Sequence, residues 1–485
     1  MFWVVLATSA YFVQGAGANQ SSRYALVRSL VENHELAITP FADTTGDRSV
    51  VGAASYTDKA PGLSLVAAIP YALGVRLLQP RDDIQPDPFA LHVLTVVTCG
   101  LATAFAAVLL LGLLGELGVS PRASLIAVLG WAFGTNALAY AGLFYAHQLV
   151  AALIIVALAA IHAAARNGSR RAVFAAGAAL GLATISEYPC AVLAAAIAGY
   201  AAVVLGPRRC LPLVLGAAVP LSVLAIYNTA CFGAPWRIGY GTLASPYFAE
   251  QMGHGLAGIS WPRAWVIRSL IASEYRGLVP LSPFLVLAAP GMMWLVDRRR
   301  ALGWLCAGAF VGYVVLISGY AVWDGGASLG PRHLVPVLPF AAIAVAVAID
   351  RIRFGHAIGG ALVALSIAIC TICVAVRPEL PDEPEPRPIA PGVATPDYRH
   401  PIIEIALPMF VRGELGAKAT AFGGIGWARQ AGHGHDRDAY NLGEIIGLAG
   451  LPSLLPLAAL WLGAGLLLAR ALRRAGPVAE PHTDR

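Results

Sequence analysis

The sequence predicts an all-α polytopic membrane protein, and three features carry that reading. Mean hydropathy is +0.69 and only 12% of the 485 residues are charged, which lies outside the range of soluble domains. Apolar runs of bilayer-crossing length recur along the chain. Between them, Arg clusters fall on every second connection, the pattern the positive-inside rule requires of a chain that crosses repeatedly. The 51 Gly and 33 Pro suit such helices, because small residues let backbones approach and neighbouring groups re-satisfy the breaks made by Pro. The net charge of +6 comes from the short Arg clusters, so it reports topology and speaks against nucleic-acid binding. None of the seven Cys (99, 190, 210, 231, 306, 370, 373) has zinc-site or disulfide-framework spacing.

Residues 2–17 form the first apolar run. It has no basic flank, and Ala16-Gly17-Ala18 resembles a signal-peptidase site, but a retained first helix is the favoured reading. Its shortness against the roughly 20 residues that span a bilayer leaves room for a start further upstream. Residue 19 then emerges on the outer side. Further spans are predicted at about 88–114, 123–140, 147–165, 172–186, 188–205, 210–230, 278–296, 301–321, 333–349, 356–376 and 447–469, about 12 in all with the first. Arg122, Arg166/Arg170/Arg171, Arg208/Arg209, Arg298 to Arg300, Arg351/Arg353 and Arg473/Arg474 mark the cytoplasmic connections.

Leu63 to Leu78 is also apolar, yet counting it as a span would place the Arg166 and Arg298 clusters outside. Parity demotes it to an amphipathic or re-entrant segment at the outer interface, followed by the acidic, Pro-rich connection 80–88. The outer segments are then 19–87, 231–277 and 377–446, the last opening on a Pro- and acid-rich linker from Arg377 to Pro391. Three parts follow: a module over 1–376, an extracytoplasmic segment over 377–446, and a last helix with a cytoplasmic tail over 447–485. No internal repeat is evident.

Ionisable groups inside a bilayer are expensive and mark pathways. Here they are nearly absent mid-span, with His92, His147 and His162 the exceptions. Asp43, Asp47, Asp58, Lys59, Glu187, Arg276, Asp324, Arg332 and His333 all fall at outer ends or in outer loops. A pump or ion-coupled transporter would put acids or unwound polar segments at the midplane. A site at the outer surface suits a lipid-borne substrate better.

The sharpest stretch is Ser55-Tyr56-Thr57-Asp58-Lys59-Ala60-Pro61-Gly62. Lys59 is one of two lysines, the other being Lys418, in a chain where 31 of 33 basic residues are Arg. An ammonium retained beside Asp58 points either to a need for a compact, rotatable charge or to a chance loop lysine. Asp43 and Asp47 flank the turn-like Thr44-Thr45-Gly46. Glycosyl transfer onto a hydroxyl needs a carboxylate to accept a proton and cations to stabilise a departing phosphate, and both kinds of group lie within this loop. Any one of these acids alone reads equally as a solvated loop residue.

Trp323-Asp324-Gly325-Gly326-Ala327-Ser328-Leu329-Gly330-Pro331-Arg332-His333 is a second cluster. Its Gly-freed amides and Arg332 would form a phosphate cradle, or else Trp323 and Arg332 anchor a helix end. Glu187 sits at a tight hairpin, where it would bind acceptor or cap the turn. Arg276 is at an outer interface, where snorkelling is the plain alternative. His147 starts a span and reads either as a base or as a hydrogen-bonded helix-end His. His433-Gly434-His435-Asp436-Arg437-Asp438 has ligand types without a recognised metal spacing and reads as a solvated loop.

Three pieces of the first loop, Asn19-Gln20-Ser21-Ser22-Arg23-Tyr24, Gly46-Asp47 and Tyr56-Thr57-Asp58-Lys59-Ala60-Pro61, together resemble the polytopic GT-C glycosyltransferases. These use polyprenyl-phosphate sugars, and the aminoarabinose transferases and protein O-mannosyltransferases (glycosyltransferase family 39-like) are the most similar. The resemblance implies a GT-C-like bundle with interfacial helices in the first extracytoplasmic loop, and a bacterial inner-membrane enzyme with its site on the extracytoplasmic side. By the same resemblance, Asp58-Lys59 matches the family's Glu-Lys pair. Lys59, Arg332, His333 and Arg23 would face the donor phosphate, Asp47, Asp58 or Asp43 would supply the base, and Glu187, Arg276, Asp324 and His147 would bind acceptor or support the site. Asn19 and Gln20 stand where the family usually has an acid, and the 141–146 loop has no carboxylate.

The expected reaction is an inverting transfer of a sugar from a polyprenyl-phosphate donor to a hydroxyl of an extracytoplasmic glycan, lipid or protein. The alternatives are a non-catalytic lipid-linked sugar carrier or flippase and a degenerate structural relative. Membrane lipids are the other expected partners, nucleic acid is not one, and a divalent cation is left open by the absence of a ligand motif.

Overall fold

A computed structural model describes residues 1–80, 83–380, 400–416 and 439–474. The expected helical membrane architecture is found. Eight helices among the described residues are long and apolar enough to cross a bilayer: Pro88–Glu116, Ala146–Asn167, Tyr188–Leu205, Leu211–Phe232, Arg300–Ser318, Arg332–Arg351, Gly355–Val376 and Leu451–Ala471.

Of the other four expected spans, three are broken. The first run is helical only over Phe2–Ser9. Its continuation Phe12–Gln14 (β1) leaves the helix to pair antiparallel with Ala439–Asn441 (β4) far along the chain. The 123–140 run is cut at Gly134-Thr135-Asn136 into Pro121–Phe133 and Ala137–Ala141. The 278–296 run breaks at Ser282-Pro283, where Pro removes a helical donor, and resumes over Ala288–Arg298. The fourth, expected at 172–186, is an unbroken helix over Arg170–Ser186.

The Leu63 to Leu78 stretch is α-helical over Gly62–Leu73, too short to span, with Pro70 inside it, and ends in a 3-10 turn over Val75–Leu77; Leu73 and Leu77 are largely exposed. The structure therefore agrees with its demotion from the spans.

The Arg332–Arg351 helix is the centre of the bundle, with nearly every side chain from Leu334 to Ile349 buried. Around it, helices meet through glycines. A Cβ on Gly177 would stand 1.9 Å from the Leu213 carbonyl oxygen, and one on Gly216 would stand 2.1 Å from that of Phe174. The Arg170–Ser186 and Leu211–Phe232 helices thus touch backbone to backbone, the close approach that small residues permit where lipid gives no hydrophobic drive. Gly291 meets the Ala344 carbonyl equally closely.

Four of the connections predicted to carry Arg clusters, those with Arg122, Arg166, Arg299 and Arg351, gather at one end. Arg166 pairs with Glu116 at 2.6 Å, the Ser120 amide donates to Asp350 at 3.2 Å, and Arg299 reaches the Leu117 carbonyl at 3.5 Å. The first loop and the ends of the helices facing it occupy the opposite end. His433 to Asp438, Lys418 and the linker beyond Leu380 lie outside the described residues. The start of that linker is not a solvated spacer, because Arg377 and Glu379 are both buried.

Candidate active site

A β-hairpin sets the centre of the site. Strands Arg48–Val51 (β2) and Ala54–Thr57 (β3) pair antiparallel with Arg48 opposite Thr57, so the next positions outward, Asp47 and Asp58, face one another across the mouth. The two-residue turn between them starts on Gly52 at φ 61°, the positive angle that a tight hairpin asks of its first central residue. Lys59 follows directly. Its Nζ lies 2.9 Å from Asp47 Oδ2 and 3.1 Å from Asp58 Oδ2, so one ammonium bridges two carboxylates that the hairpin register brought together.

The hairpin is braced from two sides. Ser22 donates to the Asp47 carbonyl at 2.5 Å and shares a 2.7 Å hydrogen bond with Thr57. On the other side, Ser49 donates to the Gly239 carbonyl at 2.6 Å and the Ala244 amide donates to the Arg48 carbonyl. A Cβ on Gly239 would come 3.0 Å from the Asp58 Cα, so this glycine lets the 239–244 segment lie flat against the carboxylates and bring Tyr240 beside them.

Asp58 is 4% exposed. Burial raises its pKa from the ordinary 3.8 to about 6; Lys59 opposes the rise and the neighbouring Asp47 charge adds to it. Its Oδ1 meets no donor from the described residues. Burial pulls Lys59 down, yet the two carboxylates more than reverse this, and its pKa ends above the usual lysine value. The ammonium is therefore charged at any working pH.

A second group adjoins the first. Arg23, buried on the Ala18–Arg28 helix, donates to Glu187 at 2.8 Å, to the Ala60 carbonyl at 3.1 Å and to Asn19 at 3.0 Å. Arg23 is thereby committed to holding the loop after Lys59. Glu187 also lies 3.7 Å from His147 Nδ1, and the His147 ring meets that of His333 edge-on at 5.5 Å. His333 is fixed by a 3.1 Å hydrogen bond to the Val322 carbonyl. The Arg332 guanidinium sits over the Tyr145 ring at 5.0 Å and makes no hydrogen bond or ion pair with a described residue. Tyr320 links the two groups electrostatically: burial raises its pKa, and both Lys59 and Arg332 act to lower it.

Arg276 and Asp324 bear on the Gly-rich turn, which packs against Arg332: a Cβ on Gly325 would come 2.9 Å from the Arg332 side chain. Arg276 donates to the carbonyls of Ser328 and Gly326, the latter at 2.6 Å, and lies over its neighbour Tyr275 at 4.4 Å; it clamps the Gly-rich turn. Asp324 lies within that turn, half-buried, and its charge acts on Arg263. Asp43 is on the surface, its side chain 84% exposed and 3.9 Å from Arg48. The short 3-10 helix Thr39–Thr44 turns it away from the hairpin mouth.

Three site residues escaped the sequence reading. Glu379 is buried and accepts the Tyr145 hydroxyl and the Gln14 amide, the latter at 2.7 Å. Tyr145 stacks on His147 at 5.9 Å, and Tyr240 lies in the field of Asp58 and Glu187. Glu379 looked like one more acid in a Pro-rich linker, and no local pattern separates it from the others. Tyr145 carried a weak signal through its position two residues before His147. No group of three or more acids, His and Cys able to hold a metal is found among the described residues.

Comparison with known proteins finds similarity to two crystal structures of ArnT from Cupriavidus metallidurans. The apo state is 18% identical with a TM-score of 0.47, matched over 77% of this chain and 63% of that one. The structure bound to undecaprenyl phosphate is 16% identical with a TM-score of 0.47, matched over 78% and 64%. The chain thus spans less than two thirds of the length of the protein it matches. No family model and no curated protein matches.

Proposed function

We propose that this protein is a GT-C-type membrane glycosyltransferase, which moves a sugar from a polyprenyl-phosphate donor to a hydroxyl of an extracytoplasmic glycan, lipid or protein, with inversion. The observation that carries the reading is the largely buried Asp47–Lys59–Asp58 bridge together with Arg332, which has no hydrogen-bond or ion-pair partner among the described residues, at the end of the bundle away from the Arg clusters. A half-buried guanidinium that makes no hydrogen bond or ion pair with a described residue is costly unless an anion is brought to it, and a lipid phosphate entering from the membrane supplies one.

In the proposed reaction the acceptor oxygen attacks the anomeric carbon from the face opposite the phosphate. The acceptor O–H proton passes to Asp58, whose proton affinity burial has raised toward neutral pH and whose buried Oδ1 meets no donor from the described residues. The bond between the anomeric carbon and the phosphate oxygen breaks, and the electron pair leaves with the phosphate. Lys59 and Arg332 stabilise the charge that develops there. Asp47 holds Lys59 in place when Asp58 takes the proton. His333 and His147 line the approach, and Arg23 with Glu187 fixes the loop that presents Lys59.

The test is transfer of labelled sugar from a polyprenyl phosphate by purified protein in detergent. Lys59→Ala should lower turnover by about a thousandfold, as expected for removing a group that meets the leaving charge, while membrane insertion is unchanged. Wild-type rates in that variant would remove Lys59 from the mechanism. Movement of lipid-linked sugar across vesicles without covalent product would favour a carrier instead.

A further inference from the structure

Glu379 lies far from the first loop in sequence and comes to the site through contacts on both sides. It follows the Gly355–Val376 helix, where the buried Arg377 curls back to donate to the Glu379 carbonyl at 3.1 Å. Its amide donates to the Gln14 side chain at 2.7 Å, and the same Gln14 returns a 2.7 Å bond to Oε2. Gln20 reaches Oε2 at 3.5 Å. Gln14 belongs to strand β1, which β4 pairs from the far end of the chain. The carboxylate is thus held at Oε2 from two separate segments, β1 and the Ala18–Arg28 helix, and its other oxygen, Oε1, accepts the Tyr145 hydroxyl.

Tyr145 is where this fixed point meets the candidate chemistry. One face of its ring carries Arg332, with the guanidinium 5.0 Å from the centroid, and the ring stacks on His147 at an interplanar angle of 14°. A tyrosine free to rotate would offer Arg332 an ill-defined support. One held at its hydroxyl by a buried carboxylate presents a single ring position, and polarisation of the hydroxyl enriches the ring face that meets the cation. We infer that Glu379 is a positioning residue: through the Tyr145 hydroxyl it fixes the ring on which Arg332 rests, so that the guanidinium is aimed at the phosphate before the lipid arrives. The inference rests on the reading of Arg332 as a phosphate-holding group.

The test is the affinity of farnesyl phosphate for the full-length protein in detergent, with farnesol as the phosphate-free control. Tyr145→Phe, which removes one oxygen and keeps the ring, and Glu379→Ala should each weaken farnesyl phosphate by about tenfold, the size expected for losing a hydrogen bond to a charged group. The double variant should lose no more than either single one, and neither change should matter in an Arg332→Ala background. Glu379→Gln keeps a hydrogen-bond partner for the hydroxyl and should retain most of the affinity; farnesol binding should be unchanged throughout. Losses that multiply, or that persist without Arg332, would overturn the positioning role and leave Arg332 as assigned. Failure of the wild-type protein to prefer farnesyl phosphate to farnesol would overturn the reading of Arg332, and this inference with it.

Discussion

At the scale of single residues, Asp58 joins stability to chemistry in opposite senses. Its folded pKa is about 6 against 3.8 for an ordinary carboxylate. Between those two values the folded protein holds a proton that the unfolded chain has released, so raising the pH through this window costs stability. The same deprotonation creates the base. Turnover should therefore fall on the acid side with a midpoint near 6, while the thermal midpoint in detergent should rise as pH drops toward 4. Asp47 contributes to the shift as a like charge, so Asp47→Asn should move the acid limb of the rate profile to lower pH. Complete loss of turnover in Asp47→Asn, with Asp58→Asn still active, would assign the base to Asp47 instead. Asp58 and Lys59 were legible from sequence because a rare lysine beside an acid stands out in a chain that otherwise uses Arg. Glu379 was not, since its role depends on a contact with Tyr145 that no spacing rule encodes.

At the scale of elements, the hairpin is the device that makes a site out of two scattered acids. Sequence reading placed Asp47 and Asp58 in one loop but could not pair them, because pairing depends on strand register. Gly52 sets that register through its positive φ. Replacing it with Val, whose branched side chain disfavours that angle, should cost roughly 1–2 kcal/mol locally and loosen the Asp47–Lys59–Asp58 bridge. The expected result is a fall of about tenfold in turnover with the fold retained, and circular dichroism beside the transfer assay measures both. The glycine contacts between helices predict a different outcome. Gly177→Leu would drive a side chain into the Leu213 backbone, whose carbonyl stands 1.9 Å from the added Cβ. The Arg170–Ser186 and Leu211–Phe232 helices must then separate, at a cost of at least about 1–3 kcal/mol. This should appear as a lower thermal midpoint and not as a selective loss of turnover. The broken spans show where helix reading by hydropathy runs out. Gly134 to Asn136 and Ser282-Pro283 interrupt runs whose mean hydropathy stays high, so a window average passes over breaks that the individual Gly, Asn and Pro mark.

At the scale of the whole molecule, two ends of unlike chemistry define how the chain sits in a membrane. Hydropathy and the alternation of Arg clusters were enough to predict which connections share an end, because both are sums over many residues and tolerate local error. The contacts Arg166–Glu116 and Ser120–Asp350 join connections assigned to the Arg-rich end, and Lys59, Glu187 and Arg332 gather at the other. If the Arg-rich end faces the cytoplasm, as the positive-inside rule implies, the candidate site opens outward. Cysteine labelling in intact cells measures this directly. Of the seven native cysteines only Cys210 is even partly exposed, so a Cys210→Ser background should be silent to a membrane-impermeant maleimide. In that background Asp43→Cys, at the exposed edge of the first loop, should label in intact cells. Arg170→Cys, at the Arg-rich end, should label only after permeabilisation. The reverse pattern would put the hairpin in the cytosol, where it would face a different pool of sugar donors, and the proposed extracytoplasmic transfer would fail even with the site geometry intact.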